Sequence, residues 1–388
     1  MGVFQQPARG YENDHRVLLT NSSTFLDVAL IPSHRMMTSF KPPKHGNVKE
    51  TGRRLALLYG SLLLCISLLI GFQAWDHFSS LPALAWNTSN LKQIHIVDPK
   101  DFSFAVFAEN RNSDVAFENL LKLIDHDQDI AFAVSLGDMV QKGEKGRYRF
   151  FLRQARENLG IPLLTAVGYH ELRGKGRDLY HDIFGPLYYS FRIGENYFIV
   201  LNDTHKQGLD PSQKEWLEQE LGNANGYETR IVFMHAPLHD PRGAKGGPSI
   251  PEEASERLIR LFLKYRVTHI FASLGHGYVE GHWQGIPYTM TGGAGAGWSG
   301  DDSVGASFHF LKVSMKAGKI SVEVERVPAP GYARMGPFGY TAWLWVGSFL
   351  RIHGIEAALL LIASILAICI YRIKSRDTLR PRRILSIR

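Results

Sequence analysis

The sequence predicts an α/β (α+β) domain held between two membrane-spanning helices. The middle of the 388-residue chain alternates short apolar runs with helical patterns, and a long uncharged apolar run lies on either side of it. Alternating strands and helices favour a sheet covered by helices, while an uncharged run of about 20 residues can cross a bilayer. A composition of 45% hydrophobic and 21% charged residues is typical of a globular protein.

The first predicted membrane helix covers residues 55–75. It follows a polar segment, residues 1–54, which has no sustained period and is expected to be loosely ordered. Arg53 and Arg54 precede the apolar run, and Trp75 marks its far end. A cleavable signal peptide is disfavoured by the long preceding segment, and a buried core helix by the absence of a polar face.

The second predicted membrane helix covers residues 354–371 and is followed by a basic tail, residues 372–388. The segment before it, residues 328–353, contains Trp343 and Trp345 and is expected to lie at the membrane interface. Because Lys and Arg crowd the outer flanks of both runs, both termini are predicted to be cytoplasmic and the body extracytoplasmic, which is periplasmic in a bacterial inner membrane. The net charge of +7 is the sum of strongly basic flanks and a slightly acidic body, so a lipid bilayer is the expected partner and nucleic acid is not.

The body is predicted to contain a lead-in at residues 76–101 and a domain at residues 102–327. Its apolar runs and helical patterns define the elements. The predicted strands are 102–107, 130–136, 162–167, 197–202, 230–234, 268–274 and 288–291, with a closing hairpin of 308–314 and 320–327. The predicted helices are 115–124, 148–158, 212–221 and 252–265. The two cysteines lie in the apolar runs, so they indicate no disulfide framework.

Four predicted strands end in polar residues that suit a metal site. Asp138 follows the predicted strand 130–136 and is the last residue of SLGD. His170, His235 and His276 follow later strands, in VGYHE, FMHAP and SLGHGY. Strand ends meet at one edge of an open α/β sheet, and Asp and His together are ligands for transition metals. Each residue alone would be a turn or packing residue, and the repeated pattern predicts a metal site.

The chain resembles the calcineurin-like metallophosphoesterases from about Phe102 to Val327. The blocks FAVFAENR, GDMVQKG, GYHE, MHAPLHDP and SLGHGY stand in the order of that family's motifs, at comparable separations. The resemblance implies a four-layer αββα sandwich, with two metal ions bridged by an Asp on loops at the strand ends. That arrangement stabilises the attacking and leaving oxygens of a phosphoester.

The resemblance assigns roles to individual residues. The implied metal ligands are Asp138, His235, His276 and Glu109. The implied catalytic residues are His170, Arg111 and Glu171, with His170 contacting the phosphate or leaving group. Eight residues are expected to converge on one cleft: Glu109, Arg111, Asp138, Tyr169, His170, His235, His276 and Tyr278.

Four positions depart from the family pattern. Glu109 stands where the family has Asp, Arg111 and Tyr278 stand where it has His, and Tyr169 stands where it has Asn. The first metal position therefore keeps two carboxylates, while the second keeps Asp138, His235 and His276. The expected cofactor is one divalent transition-metal ion, Mn, Fe or Zn, or none, with Arg111 supplying positive charge in place of the other ion.

Two functions follow from these departures. The first is a membrane-anchored phosphoesterase with a partly degenerate site that hydrolyses a phosphoester. The second is an inactive pseudophosphoesterase whose extracytoplasmic domain binds a phosphoester or another anionic ligand, or acts as a scaffold. The sequence names neither the substrate nor any protein partner.

Overall fold

A computed structural model describes residues 48–205, 207–243, 249–275, 277–297 and 308–378. Eight α-helices and eleven strands lie in these ranges. The strands are β1 Asp101–Phe107, β2 Ile130–Ser135, β3 Leu163–Thr165, β4 Tyr189–Ile193, β5 Asn196–Val200, β6 Thr229–Phe233, β7 His269–Ser273, β8 Tyr278–Trp283, β9 Ile286–Thr291, β10 His309–Lys316 and β11 Lys319–Arg326. The helices are α1 Val48–Phe78, α2 Trp86–Leu91, α3 Val115–His126, α4 Lys145–Asn158, α5 Gly176–Phe184, α6 Pro211–Asn223, α7 Glu252–Lys264 and α8 Gly336–Thr378.

The strands form two mixed sheets that pack face to face. One sheet has the order β11-β10-β1-β2-β3, and the other has the order β4-β5-β6-β7-β9-β8. Phenylalanines fill the space between them: Phe104 stacks on Phe132 at 5.1 Å and meets Phe198 and Phe233 edge-on at 5.8 and 6.0 Å. Aromatic side chains bury a large area each, so this layer dominates the core.

Helices cover the outer faces of both sheets. Helices α3, α4 and α5 pack on the five-stranded sheet, and α6 and α7 pack on the six-stranded sheet. In α7, Leu258, Ile259 and Phe262 form the buried face, while Glu252 and Glu253 lie in the first turn, where the helix dipole favours negative charge. The four-layer αββα sandwich is therefore confirmed.

Two strands and two helices were not predicted from the sequence. Strands β4 and β8 are the two edges of the six-stranded sheet, and their partly exposed residues give no clear apolar run. Helix α2 has only six residues, and α5 begins at Gly176 in a glycine-rich stretch. Weak local preference, overridden by tertiary packing, explains all four.

Helices α1 and α8 are each long and apolar enough to cross a membrane. Helix α8 has a break at His353, where φ is −120° and ψ is 16°, one residue before the predicted start of the second span. Before the break, α8 packs on the body: Tyr340 is fully buried and donates to the Gly295 carbonyl at 2.8 Å. Trp343 and Trp345 on the same segment are exposed.

Helix α4 holds the end of α1 against the body. Arg149 pairs with Asp76 at 2.7 Å, and Lys145 donates to the backbone carbonyls of Asp76, at 3.0 Å, and of Ser79. Arg156 reaches the Pro82 carbonyl at 2.8 Å. Lys145 thus satisfies the Asp76 carbonyl in the last turn of α1, and the cations of α4 also bind two carbonyls of the segment that follows it.

Candidate active site

A cleft of about 270 Å³ opens at the carboxyl ends of the strands. Six of the eight residues expected to converge line it: Glu109, Arg111, Asp138, Tyr169, His170 and His235. His276 lies outside the described residues, next to Gly275, which lines the cleft. Three side chains that the sequence analysis did not single out, Arg173, Asp240 and Arg242, complete the polar lining.

The two loops that carry the central residues have strained backbones. Glu109, Arg111 and Asp138 have φ values of 67°, 41° and 53°, in the left-handed region that residues with a side chain rarely adopt. The loops hold each other: the Arg111 amide donates to the Asp138 carbonyl at 3.0 Å. Strain of this kind, about 1–3 kcal/mol per residue, is retained where packing enforces it and is common at functional sites.

Gly168 lets the GYHE loop approach Asp138. A Cβ atom at position 168 would lie 2.4 Å from the Asp138 amide nitrogen and 2.5 Å from Asp138 Oδ1. No side chain fits in that space. The close approach allows the His170 amide to donate to Asp138 Oδ1 at 2.9 Å, which fixes the carboxylate in the cleft.

Arg111 lies between two buried carboxylates. Its Nη2 atom is 2.7 Å from Glu109 Oε2 and 2.9 Å from Asp138 Oδ2. The contact with Asp138 is a hydrogen bond, whereas Glu109 Oε2 is close to Arg111 without receiving an aligned N–H. The other oxygen, Glu109 Oε1, accepts a hydrogen bond from Ser273 at 2.9 Å. The guanidinium therefore supplies the positive charge at this end of the cleft.

His235 is presented to Asp138 through its Nε2 atom. Nδ1 lies 2.8 Å from the Leu136 carbonyl, which accepts its proton, and Nε2 lies 3.5 Å from Asp138 Oδ1. A fixed Nδ1–H leaves the Nε2 lone pair available, as a metal ligand requires. The buried Asp203 carboxylate, which the sequence analysis missed, holds this loop by accepting from the amides of His235, at 3.2 Å, and Ala236, at 2.6 Å.

His170 and Glu171 are adjacent in sequence but serve different sides of the loop. The Nδ1 atom of His170 lies 2.9 Å from the Gln141 carbonyl, and its Nε2 faces Asp138 Oδ2 at 3.7 Å across the cleft. Glu171 is fully buried behind the cleft and does not line it. Its carboxylate accepts from the amides of Asp138, Val140 and Gly168 at 2.7–3.0 Å. This geometry makes Glu171 a positioning residue for the Asp138 loop.

Burial and charge shift the pKa values of the site in opposite directions. Burial, assisted by the charge of Asp138, raises the pKa of Glu109 to about 7. Burial also opposes ionisation of Asp138, but His235, His170 and Arg111 outweigh it and keep the pKa of Asp138 below its usual value. For His235, burial is outweighed by Asp138, Glu109 and Asp203, which raise its pKa. Burial lowers the pKa of His170.

Three of these side chains form a candidate site for a divalent transition-metal ion. Glu109, Asp138 and His235 are all buried and each offers a ligand atom within 4.8 Å of the others. Two carboxylates and an imidazole suit Mn, Fe or Zn, and Glu109 Oε2 lacks a hydrogen-bond donor. Tyr278, in contrast, is not among the residues that line the cleft, and its hydroxyl donates to Glu280 at 2.6 Å. The expected convergence of Tyr278 was wrong, because β8 directs that phenol to its own strand.

The chain matches known proteins over this region. A profile of the calcineurin-like phosphoesterase family matches residues 94–277. In Arabidopsis thaliana, Fe(3+)-Zn(2+) purple acid phosphatase 12 is 32% identical over 97 residues, 24% of this chain and 20% of its own. Purple acid phosphatase 13 is 34% identical over 122 residues, 29% of this chain and 22% of its own. The chain thus spans about a fifth of the length of these relatives.

A solved structure is also similar. Purple acid phosphatase PPD1 from yellow lupin (Lupinus luteus) seeds has a TM-score of 0.48 at 17% identity, covering 58% of this chain and 51% of its own. The order of the motif blocks, the αββα sandwich and the family match over residues 94–277 lead to one conclusion. Residues 94–277 of the chain form a calcineurin-like phosphoesterase domain.

Proposed function

We propose that the chain is a membrane-anchored phosphoesterase that works with one divalent transition-metal ion and with Arg111 in place of a second. The observation that carries this proposal is the position of the Arg111 guanidinium, 2.7 Å from Glu109 and 2.9 Å from Asp138. These carboxylates belong to the first metal position of the family pattern. A fixed cation there opposes binding of a dication while still attracting a phosphate.

His235 lies at the other carboxylate oxygen of Asp138, with its Nε2 atom 3.5 Å from Oδ1. Asp138 and His235 would hold the ion with His276, and Glu109 is close enough to take part. When bound, the ion supplies Lewis-acid polarisation of a phosphoryl oxygen. Arg111 steadies the charge on the phosphoryl group, and Arg173 and Arg242 add positive charge to the same cleft. In its imidazolium form His170 gives the Nε2 proton to the leaving oxygen and becomes neutral, while its Nδ1–H stays donated to the Gln141 carbonyl.

A pseudophosphoesterase is the second candidate, and the same ion pair favours it. Arg111 already neutralises part of the charge of Glu109 and Asp138 without a metal, so the cleft is stable as an anion-binding site. In that case the domain would bind a phosphoester without hydrolysing it. The two candidates differ in metal content and turnover, which makes them separable by experiment.

The test uses the full chain purified in detergent. Metal content by elemental analysis and hydrolysis of an aryl phosphate and an aryl phosphodiester are measured for the wild type, Asp138→Ala and the control Asp182→Ala, an exposed carboxylate on α5. We expect at most one ion per chain, turnover in the wild type and the control, and loss of both properties in Asp138→Ala. Two ions per chain with ordinary turnover would refute the role given to Arg111. An ion-free chain without turnover would favour the pseudoenzyme.

We also propose that α1 and α8 cross the membrane with both termini cytoplasmic and the body outside. The support is the length and apolar character of the two helices and the Lys and Arg residues on their outer flanks. Reporters fused after Arg388 and inserted in the exposed β10–β11 turn at Ala317–Gly318 test the orientation. A C-terminal reporter that is active only outside the cytoplasm would contradict it.

A further inference from the structure

A second cavity, of about 280 Å³, lies where α1 and α8 meet the body. Its walls come from three places: the last turns of α1, the first half of α4 and the break in α8. Apolar side chains line one part of it, and three arginines line another: Phe72, Phe150 and Ile355, with Arg149, Arg153 and Arg351. An apolar wall beside cationic groups matches a molecule with a hydrocarbon part and an anionic part.

We propose that this juxtamembrane pocket binds the phosphate headgroup of an anionic phospholipid, with the start of an acyl chain against its apolar wall. The inference rests on the membrane placement proposed above and is independent of the chemistry in the cleft. Both apolar helices border the pocket, so a bilayer crossed by them would bring headgroups to its mouth. The cavity accommodates a headgroup and leaves the rest of the lipid in the membrane.

Helix α4 supplies the charge through one face. Lys145, Arg149, Arg153 and Arg156 follow one another at spacings of three or four residues, which places them on the same side of the helix. Lys145, Arg149 and Arg156 bind the segment that leaves α1, at Asp76, Ser79 and Pro82. The basic face is therefore directed at the membrane-proximal segment.

Arg153 is the cation best placed to meet a phosphate. It is exposed, its guanidinium lies 5.3 Å from the Phe150 ring, and no carboxylate pairs with it among the described residues. A guanidinium binds a phosphate through two parallel hydrogen bonds. Arg149 stacks 5.2 Å over Trp75, which is 56% exposed at the end of α1, where an interfacial aromatic residue is expected.

The acidic residues of the pocket are already engaged. Asp76 pairs with Arg149 at 2.7 Å, and Glu356 lies 3.2 Å from His353. Arg351 is paired outside the pocket, with Glu118 at 3.1 Å. Among the described residues Arg153 is thus the one arginine of this pocket that has no carboxylate partner, and a phosphate would supply that partner.

The test compares matched arginine variants of the full chain. The wild type, Arg153→Gln and Arg156→Gln are purified in detergent and titrated with phosphatidylglycerol or phosphatidylcholine, and bound lipid is counted by native mass spectrometry. Arg156 is the control because it lies on the same face of α4 and stacks on an aromatic ring, that of Trp86, outside the pocket. Glycerol 1-phosphate, the soluble headgroup fragment, serves as competitor.

We expect preferential binding of phosphatidylglycerol, a loss of about tenfold in its affinity in Arg153→Gln, and no such loss in Arg156→Gln. Equal binding of the two lipids, or equal affinities in both variants, would overturn the inference. Displacement by glycerol 1-phosphate at the lipid's own concentration would identify a site for a soluble phosphate instead. Alkaline carbonate extraction of membranes distinguishes failure of the membrane placement from failure of the lipid site. A chain that is extracted refutes the membrane placement, whereas a chain that is retained but shows no lipid preference refutes only this pocket.

Discussion

Replacing Arg111 by Ala should make the fold depend on a divalent metal. The side chain of Arg111 is 30% exposed, but those of Glu109 and Asp138 are 3% and 2% exposed, so the variant leaves two buried carboxylates close together without their cation. The pKa of Glu109 is already raised to about 7 by burial and the charge of Asp138, and removing Arg111 raises it further. Ionised Glu109 is therefore strongly disfavoured in the folded variant.

The size of the effect follows from these burials. Removing one partner of a buried ion pair costs about 3–5 kcal/mol, and the partial exposure of Arg111 favours the lower end, about 3 kcal/mol. For a body of this size, about 3 kcal/mol lowers the unfolding temperature by about 6–12 °C. A divalent ion that binds only the folded chain, present at a concentration 100 times its dissociation constant, stabilises the fold by about 2.7 kcal/mol. This offsets most of the loss.

The assay is thermal unfolding of the full chain in detergent at pH 8, where both carboxylates would be ionised in the unfolded chain. It is run with a chelator and then with Mn²⁺ or Zn²⁺. Arg242→Ala is the matched control, because Arg242 pairs with Asp240 at 2.8 Å in the same cleft but away from the metal ligands. We expect a large loss in Arg111→Ala that the metal reverses, and a smaller loss in Arg242→Ala that it does not. Equal losses without a metal response would refute the reasoning.

Three further predictions concern the rest of the body. Burial, with a smaller contribution from the charge of His282, lowers the pKa of His269 to about 4, below the usual 6.5. Because the unfolded chain binds this proton before the folded chain does, the free energy of unfolding should fall by about 3 kcal/mol as the pH drops from 6.5 to 4. His269→Gln should flatten that pH dependence in denaturant unfolding. At pH 8, above the pKa of about 7 to which burial raises Glu171, Glu171→Gln should lower the free energy of unfolding by about 2–3 kcal/mol and weaken metal binding in a titration, because the Gln NH2 group would face backbone N–H donors that the carboxylate accepts from. Ending the chain after residue 335 should cost at least about 3 kcal/mol through loss of the buried Tyr340, whereas ending it after His353 should leave the unfolding midpoint of the body unchanged.

Most of the strands that the sequence predicts are buried on both faces, and the exposed edge strand β11 was predicted as part of a hairpin. Ile130–Ser135 and Thr229–Phe233 are nearly continuous apolar runs and lie inside their sheets. The edge strands Tyr189–Ile193 and Tyr278–Trp283 could not be recognised, because their pairing is stabilised by a neighbouring strand rather than by their own composition. Register and edge position depend on distant residues, which local patterns do not report.

The sequence likewise predicts some residues of the candidate active site and not others. Asp138 and His235 could be predicted as neighbours because each follows a strand and carries a recognisable motif. Asp203 also follows a predicted strand, directly after Asn202, and this position was the signal that could have placed it near the site. No motif indicates that its carboxylate accepts hydrogen bonds from two backbone amides. The left-handed backbone at Glu109, Arg111 and Asp138 is imposed by the contact of two loops, so no propensity of these residues indicates it.

The contacts that attach the body to α1 and α8 limit the volume in which the cleft can meet a substrate. Asp76 is bonded to Arg149 at the end of one apolar helix, and Tyr340 is bonded to Gly295 before the start of the other, so neither connection is a flexible tether. A domain on a flexible linker samples a volume set by the linker's length, which raises its effective concentration toward partners throughout that volume. If both helices cross the membrane as proposed, these two attachments keep the cleft at one height above it. Substrates must then reach that height by their own diffusion, and those that are themselves bound to the same membrane search in two dimensions rather than three.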